Sequence, residues 1–467
     1  MPIHRSSLPN QLNRRQLLST LGGGFGLLGG RLAAETGGAL DPKRPHFAAK
    51  AKNVIFLCLN GGWSQVDTFD PKPMLDRYDG KPMPGGAPRT EADDGKAGNL
   101  MKSPFRFRRY GQSGIEVSEI FPKVGAAIDD FCVLRSMHTD VPNHEPGLFM
   151  ISCGALQPGR PSMGSWIMYG LGTENRNLPG FLVLCPGVPT VGPPLWESAF
   201  LPAVYQGTHV RNDEKDPKRL IRHIQSGRFD PQAQRKGIDL LARLNQEHLR
   251  ARPGDSELQA SIESMETAFR MQTEAPEVFD LAKEPESIRS QYGDSDFGRG
   301  CLMARRLVEK GVRAVQLFFG KVQPWDSHGD IMDHKRLAAQ ADPAIAFLIQ
   351  DLKVRGLLDE TLVIVGSEFG RTPAVQLQPA GLQNGRDHSS LGFTILLAGA
   401  GVRGGMTYGA TDEFGYKAIE KPAHVHDLHA TVLHLLGLDH TKLTYHFSGR
   451  DFRLTDVHGN VLRDILS

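Results

Sequence analysis

The chain has 467 residues, 40% of them hydrophobic and 23% charged, with a formal net charge of +2. That length buries a large core, and those proportions are ordinary for a folded protein rather than a disordered or fibrous one. The small net charge, without a dense Lys/Arg block interleaved with aromatics, excludes nucleic acid as a partner.

The first residues stand apart in composition. Asn13-Arg14-Arg15-Gln16-Leu17-Leu18 precedes a mildly apolar, Gly-rich run from Ser19 to Gly30, then Leu32-Ala33-Ala34. Paired arginines, a short apolar run and small residues match a twin-arginine export signal over residues 1–34, which is set aside from the fold. Export machinery of that kind is the expected first partner, and a periplasmic or extracellular location follows. The apolar run is too short and too rich in glycine to span a membrane, so no membrane span is expected in the mature form. Cys58, Cys132, Cys153, Cys185 and Cys301 show no CxxC spacing. They indicate neither a zinc ribbon nor a disulfide scaffold, and free buried thiols are expected.

The remainder, residues 48–467, reads as one α/β domain. Asn53–Leu59 is the first strand and ends in Asn60-Gly61-Gly62-Trp63-Ser64-Gln65-Val66-Asp67-Thr68-Phe69-Asp70-Pro71, a strand-end loop in which Asn60 and Asp67 lie where a ligand could reach them. Pro82–Ser103 is rich in Gly, Pro and charge and reads as an exposed excursion. A helix over Glu119–Asp130 and a strand over Phe131–Met137 lead to His138-Thr139-Asp140-Val141-Pro142-Asn143-His144-Glu145, a dense polar loop expected to line a site.

From about 230 to 290 the sequence turns polar and helical. Leu258, Ile262, Met265 and Phe269 form one stripe at helical spacing, read as the packing face of an inserted helical segment. Ser295–Gly311 reads as a helix returning to the sheet.

Three apolar runs then follow: Val312–Phe319, Thr361–Val365 and Phe393–Leu397. Unbroken runs separated by helical segments predict a mostly parallel central sheet flanked by helices, with these strands buried on both faces. Ligands in such sheets collect at the carboxyl ends of the strands. The first run is followed by Trp325-Asp326-Ser327-His328-Gly329-Asp330 and the second by Ser367-Glu368-Phe369-Gly370-Arg371-Thr372. The third is preceded by Gly385-Arg386-Asp387-His388-Ser389-Ser390. Val425–Gly437 reads as an amphipathic helix whose histidines, His426, His429 and His434, fill space beside the leucines. Val457–Val461 reads as a hairpin turn.

Asp326 and His328 on one loop, with His388 from a neighbouring strand end, make a carboxylate–imidazole set able to hold a divalent ion such as Zn, Mn or Ca, with a position left open. Glu368 is read as a fourth ligand, as a carboxylate orienting a histidine, or as an ion-pair partner of Arg371 or Arg386. Those arginines could instead clamp a sulfate, phosphate or carboxylate. Asp330, Asp387 and His334 lie nearby in sequence.

At these residues the chain resembles the alkaline phosphatase and sulfatase superfamily, and within it the exported family known as domain of unknown function 1501. The shared motifs are Asn60 to Pro71, Asp326-Ser327-His328-Gly329, Ser367 to Thr372 and Gly385-Arg386-Asp387-His388, in that order. The resemblance implies an alkaline phosphatase/sulfatase-like fold and two metal sites. Asp326 and His328 match an Asp–His pair, and His388 matches a last histidine, so one metal site is expected intact. The other departs from the pattern: Asn60 stands where an aspartate is expected, Glu368-Phe369-Gly370 replaces Asp-His-Gly, and Asn143-His144 takes the nucleophile position without Ser, Thr or Cys.

The expected function is an exported metal-dependent hydrolase of sulfate or phosphate esters, with metal-bound water as nucleophile. Its substrate would be an anionic small molecule or glycan. Asp326, His328 and His388 would ligate; His144, Glu368 and Arg371 would be catalytic, Glu368 assisting and Arg371 or His144 stabilising charge. The alternative is a catalytically degenerate sulfatase-like protein that binds anionic glycans or acts as a surface scaffold.

Overall fold

Strand β1, Asn53–Cys58, lies in the middle of a nine-stranded sheet because both of its faces are apolar. The structure is a computed structural model that describes residues 38–467 apart from 87, 89–96, 222–223, 225–229, 252–255 and 379–383. The export signal expected over 1–34 lies outside the described residues. From Ala39 to Ser467 the chain forms one unit.

The other elements that place the site are β2 (Ala97–Leu100), β3 (Phe131–His138), β4 (Phe181–Leu184), β5 (Thr208–Val210), β6 (Ala314–Phe318), β7 (Thr361–Gly366), β8 (Gly370–Gln376), β9 (Arg386–Ser389), β10 (Phe393–Ala398), β11 (Met406–Tyr408) and β12 (Ala423–His424). The helices are α1 (His144–Cys153), α2 (Met163–Leu171), α3 (Pro231–Ala251), α4 (Ser256–Phe279), α5 (Asp296–Glu309), α6 (Asp333–Val354) and α7 (Val425–Leu435). Sheet order is β11-β3-β10-β7-β1-β6-β4-β5, with β12 also paired to β3.

Val54 pairs in register with Ala314 of β6 on one side and Leu362 of β7 on the other. Successive side chains of a strand point to opposite faces, so the runs feed two cores. Ile55, Leu57, Val315, Leu317, Val363 and Val365 pack under α5 and α6. Val54, Phe56, Phe318, Leu362 and Ile364 pack under α1, α2 and α7. The result is the expected mostly parallel sheet with helices on both faces.

One of the three strands read as parallel is not. β10 runs antiparallel to both β7 and β3. After β7 the chain does not cross back over a face of the sheet, as a parallel return requires. It makes the antiparallel pair β8–β9, with Arg371 opposite His388, and β8 also pairs with β2. That excursion returns the chain to the rim it left, so β10 enters the sheet from the carboxyl-end side and must run the other way. His388, which precedes β10, therefore lies on the same rim as residues that follow β6 and β7.

Smaller expectations shift. The helix read over Glu119–Asp130 is shorter, Pro122–Ala126 followed by a 3-10 turn at Ile128–Asp130. Proline without an N–H belongs in a first turn, so the helix begins there. Val457–Val461 is not a hairpin. The hairpin nearby pairs Tyr445–Phe447 with Arg450–Phe452 through Ser448 and Gly449, both at positive φ as a tight two-residue turn demands. In α4, Met265 of the expected packing stripe is 39% exposed, and the side chain of Leu258 lies outside the described residues. The five cysteines are free and buried.

Candidate metal centre

The loop after β6 carries Asp326 and His328, the end of β9 carries His388, and the loop after β3 delivers His144 as the first residue of α1. One ligand-type atom from each of the four lies within 4.8 Å of the others. The pivot is Asp326 Oδ1, which lies 2.8 Å from His328 Nε2, 2.9 Å from His388 Nε2 and 3.3 Å from His144 Nε2. Arg371 Nη2 donates to the same oxygen at 2.7 Å.

Proton accounting shows what this set is built for. His144 Nδ1 faces Glu368 Oε1 at 2.7 Å, and His328 Nδ1 faces the side-chain oxygen of Gln376. Both partners accept, so both rings carry their proton on Nδ1 and, when neutral, present the Nε2 lone pair to Asp326. Lone pairs facing a carboxylate oxygen repel unless something positive sits among them. His144 Nε2 is accordingly a buried nitrogen with no hydrogen-bond partner of good geometry. A carboxylate oxygen with two lone pairs cannot accept from four nitrogens at once. The donor set therefore fits a divalent ion, with far-side ring nitrogens held by a carboxylate and an amide, the usual support of metal-binding histidines.

The electrostatics agree. Burial alone pushes the Asp326 carboxyl up, but the His144, His328 and His388 rings around it and the Arg371 charge hold it far below the usual range. Burial disfavours a charged His144, yet the Asp326 carboxylate beside it, with the hydrogen bond to Glu368 and its charge, raises it to about 9. The negative field that favours a proton there favours a metal cation equally. Glu368 is buried; desolvation opposes its charge, and hydrogen bonds from His144 and Ser367 keep it below its ordinary value. The Gly61 amide also donates to it at 2.9 Å.

Other residues singled out in the sequence have different work. Arg371 is fully buried and donates to the carbonyls of Gly61, Gly62, Trp325 and Arg386 besides Asp326, so it positions Asp326 and is not presented to an anion. Arg386 is likewise buried, paired with Asp67 at 2.7 Å. Asp67 is thus inaccessible to a ligand, as is Asn60, whose amide donates to the carbonyls of Gly320 and Val322. His334 is buried between the Ser64 amide and the Ser327 hydroxyl. Asp330 accepts from Asn384 and the Met332 amide, and Asp387 accepts from the His388 amide. In α7, His429 donates to the Ile151 carbonyl at 2.9 Å, a packing role. Of the polar loop 138–145, only His144 joins the centre. Sequence reasoning missed Gln376; it sits in a strand without distinctive neighbours, and only the β8–β9 pairing brings it to His328.

Fold and site together define an α/β protein with a candidate metal centre on the strand-end rim. The model of the family described as protein of unknown function (DUF1501) matches residues 51–466, and the chain belongs to that family. No curated protein matches it. Among solved structures it is similar to PsFucS1 sulfatase from Pseudoalteromonas sp., at 13% identity and TM-score 0.33, covering 85% of this chain and 68% of that one. It is similar to the phosphonate monoester hydrolase SpPMH from Silicibacter pomeroyi, at 13% identity and TM-score 0.34, covering 74% and 71%. The lipoteichoic acid synthase LtaP from Listeria monocytogenes matches at 10% identity and TM-score 0.32, covering 91% and 79%. Likeness at this level carries no argument about chemistry, and the fold description rests on the sheet itself. Among the described residues no helix is long and apolar enough to cross a membrane.

Proposed function

We propose that the chain is an exported metal-dependent hydrolase of sulfate or phosphate esters. The observation that supports it most is the convergence of three imidazole nitrogens on Asp326 Oδ1 within 3.3 Å, two of the rings having their far nitrogens tied to acceptors. Asp326, His328, His388 and His144 would hold the ion, so His144 moves from the expected charge-stabilising role to a ligand. A divalent ion held there acidifies a coordinated water and polarises an ester oxygen. Glu368 keeps the His144 proton on Nδ1, Gln376 does the same for His328, and Arg371 fixes the Asp326 carboxylate. His144 stands at the start of α1, the position of the nucleophile in the resemblance, and has no hydroxyl or thiol to offer. Water is the nucleophile that fits.

The test is metal analysis of the purified protein together with hydrolysis of a panel of sulfate and phosphate esters. About one equivalent of ion and turnover, both lost in His388→Ala, are expected. The second reading, a degenerate binding protein, draws on the burial of Arg371 and Arg386, which leaves neither guanidinium for a substrate anion. It predicts bound ion without turnover of any ester.

A further inference from the structure

Helix α3 carries an apolar stripe that its own chain does not cover. On its inner side Arg235 pairs with Glu266 of α4 at 3.0 Å and lies over the Phe269 ring, which fixes how the helix is turned. At about 3.6 residues per turn, Gly237, Leu240, Leu241 and Leu244 then share the outer side. The three leucines are 58%, 45% and 52% exposed. Single exposed leucines are ordinary, but three adjoining ones form a patch of the kind that marks contact with another molecule. Gly237 is a second, independent observation. A glycine inside a helix weakens it, and a Cβ at this position would meet nothing within 4 Å. Neither the backbone nor the packing of this chain requires it. A gap in the middle of an apolar stripe admits a bulky group from outside, because large side chains pack best against small ones.

The charges beside the stripe say which molecule that is. Lys236 borders it towards one end and Glu247 borders the same edge towards the other. Among the described residues Lys236 has no ion pair, and Glu247 meets the exposed Arg250 in a contact open to solvent. A second copy of the helix laid antiparallel, with the two-fold axis beside Leu240 and Leu241, sets Gly237 opposite Leu244 of the second copy. The same placement sets Leu240 opposite Leu241 of the second copy and Lys236 opposite Glu247 of the second copy. Large meets small and positive meets negative, each twice by symmetry. An anionic lipid surface would favour a wholly basic border, and Glu247, one turn from Leu244, interrupts it.

We propose that the chain forms a dimer through α3, the two helices lying antiparallel and touching along Gly237, Leu240, Leu241 and Leu244. This does not depend on the hydrolase reading. One helix pair is a small interface, below about 1,200 Å² in total, so the association is weak and concentration-dependent. Sedimentation velocity of the purified protein over a concentration series tests it, with flotation on phosphatidylglycerol vesicles alongside. A monomer–dimer equilibrium is expected, weakened by about tenfold or more in the double variant Leu240→Gln, Leu244→Gln. Both sites are exposed, so that variant should keep the native Tm. Gly237→Leu separates fitted pairing from general stickiness: it adds apolar surface and helix propensity, yet should weaken the dimer by a similar factor because Leu244 of the second copy loses its recess. Lys236→Glu should weaken the dimer too, and adding Glu247→Lys to it should restore association. A monomer at every concentration, a dimer indifferent to the leucine pair, a tighter dimer in Gly237→Leu, or vesicle binding by a monomer through these leucines overturns the proposal. Failure of the charge reversal to restore the dimer overturns the antiparallel arrangement.

Discussion

Glu368 joins three segments through one buried side chain. It accepts from His144 Nδ1, from the Gly61 amide at the end of β1 and from its neighbour Ser367. Removing its charge while keeping its size tests whether it tunes the centre. Glu368→Gln should fold and lose at least about tenfold in metal affinity, because the imidazole it supports becomes less basic. Competition against a chelating dye measures this, and unchanged affinity would place Glu368 outside the metal's support. Two other histidines set the acid response. Burial drives His334 and His429 down to about 3, so both are neutral in the folded chain. An unfolded histidine titrates near 6.5. Their stabilisation is therefore complete above that value and is lost on acidification, as the unfolded chain takes up protons first. Below that value each group approaches a slope of about 1.4 kcal/mol per pH unit, so the pair contributes a loss of roughly 3 kcal/mol between pH 6.5 and 5. The urea midpoint should fall steeply between pH 7 and 5 and less steeply in His429→Leu; a flat profile contradicts the assignment.

At the scale of elements, the centre depends on two strand-end loops meeting closely. Gly61, at φ +117°, would put a Cβ 2.7 Å from the backbone nitrogens of Trp325 and Asp326, so the loop after β1 can sit against the loop after β6 only as glycine. Gly61→Ala should cost about 2–3 kcal/mol of stability and displace Asp326, lowering metal affinity. Gly329→Ala, with nothing within 4 Å of its Cβ, should change neither. Equal effects in calorimetry and metal titration would remove the close approach as an explanation. The buried runs made the sheet legible, since apolar residues on both faces admit few other arrangements. Asp326, His328 and His388 stood out because three polar knots fell beside those runs. The reversal of β10 was also written there, in a knot that precedes its strand instead of following it, although the apolar pattern alone is blind to direction. The Asp67–Arg386 pair and Gln376 were not legible. Long-range pairing decides which buried charge meets which, and nothing local in the chain records it.

For the whole molecule, the candidate ligands come from three distant stretches of chain, at 144, 326–328 and 388. An ion bound there adds its binding free energy to the folded state: at a hundredfold excess over Kd, about 2.7 kcal/mol. In a chain this long that corresponds to a rise of only a few degrees in Tm, because the unfolding entropy is large. The local consequence is greater. With the ion removed, three imidazoles and a carboxylate oxygen no longer share a cation, and the rim loops lose the contact that joins them. The strands beneath keep their ladders: β1 still bonds to β6 and β7 along its length. Chelation should therefore speed amide exchange in residues 139–147, 325–330 and 385–390 while leaving 53–58 and 361–366 unchanged. Hydrogen-exchange mass spectrometry with and without chelator reads this directly. Acceleration spread evenly over the sheet, or none in the three loops, would mean that no ion holds the rim together.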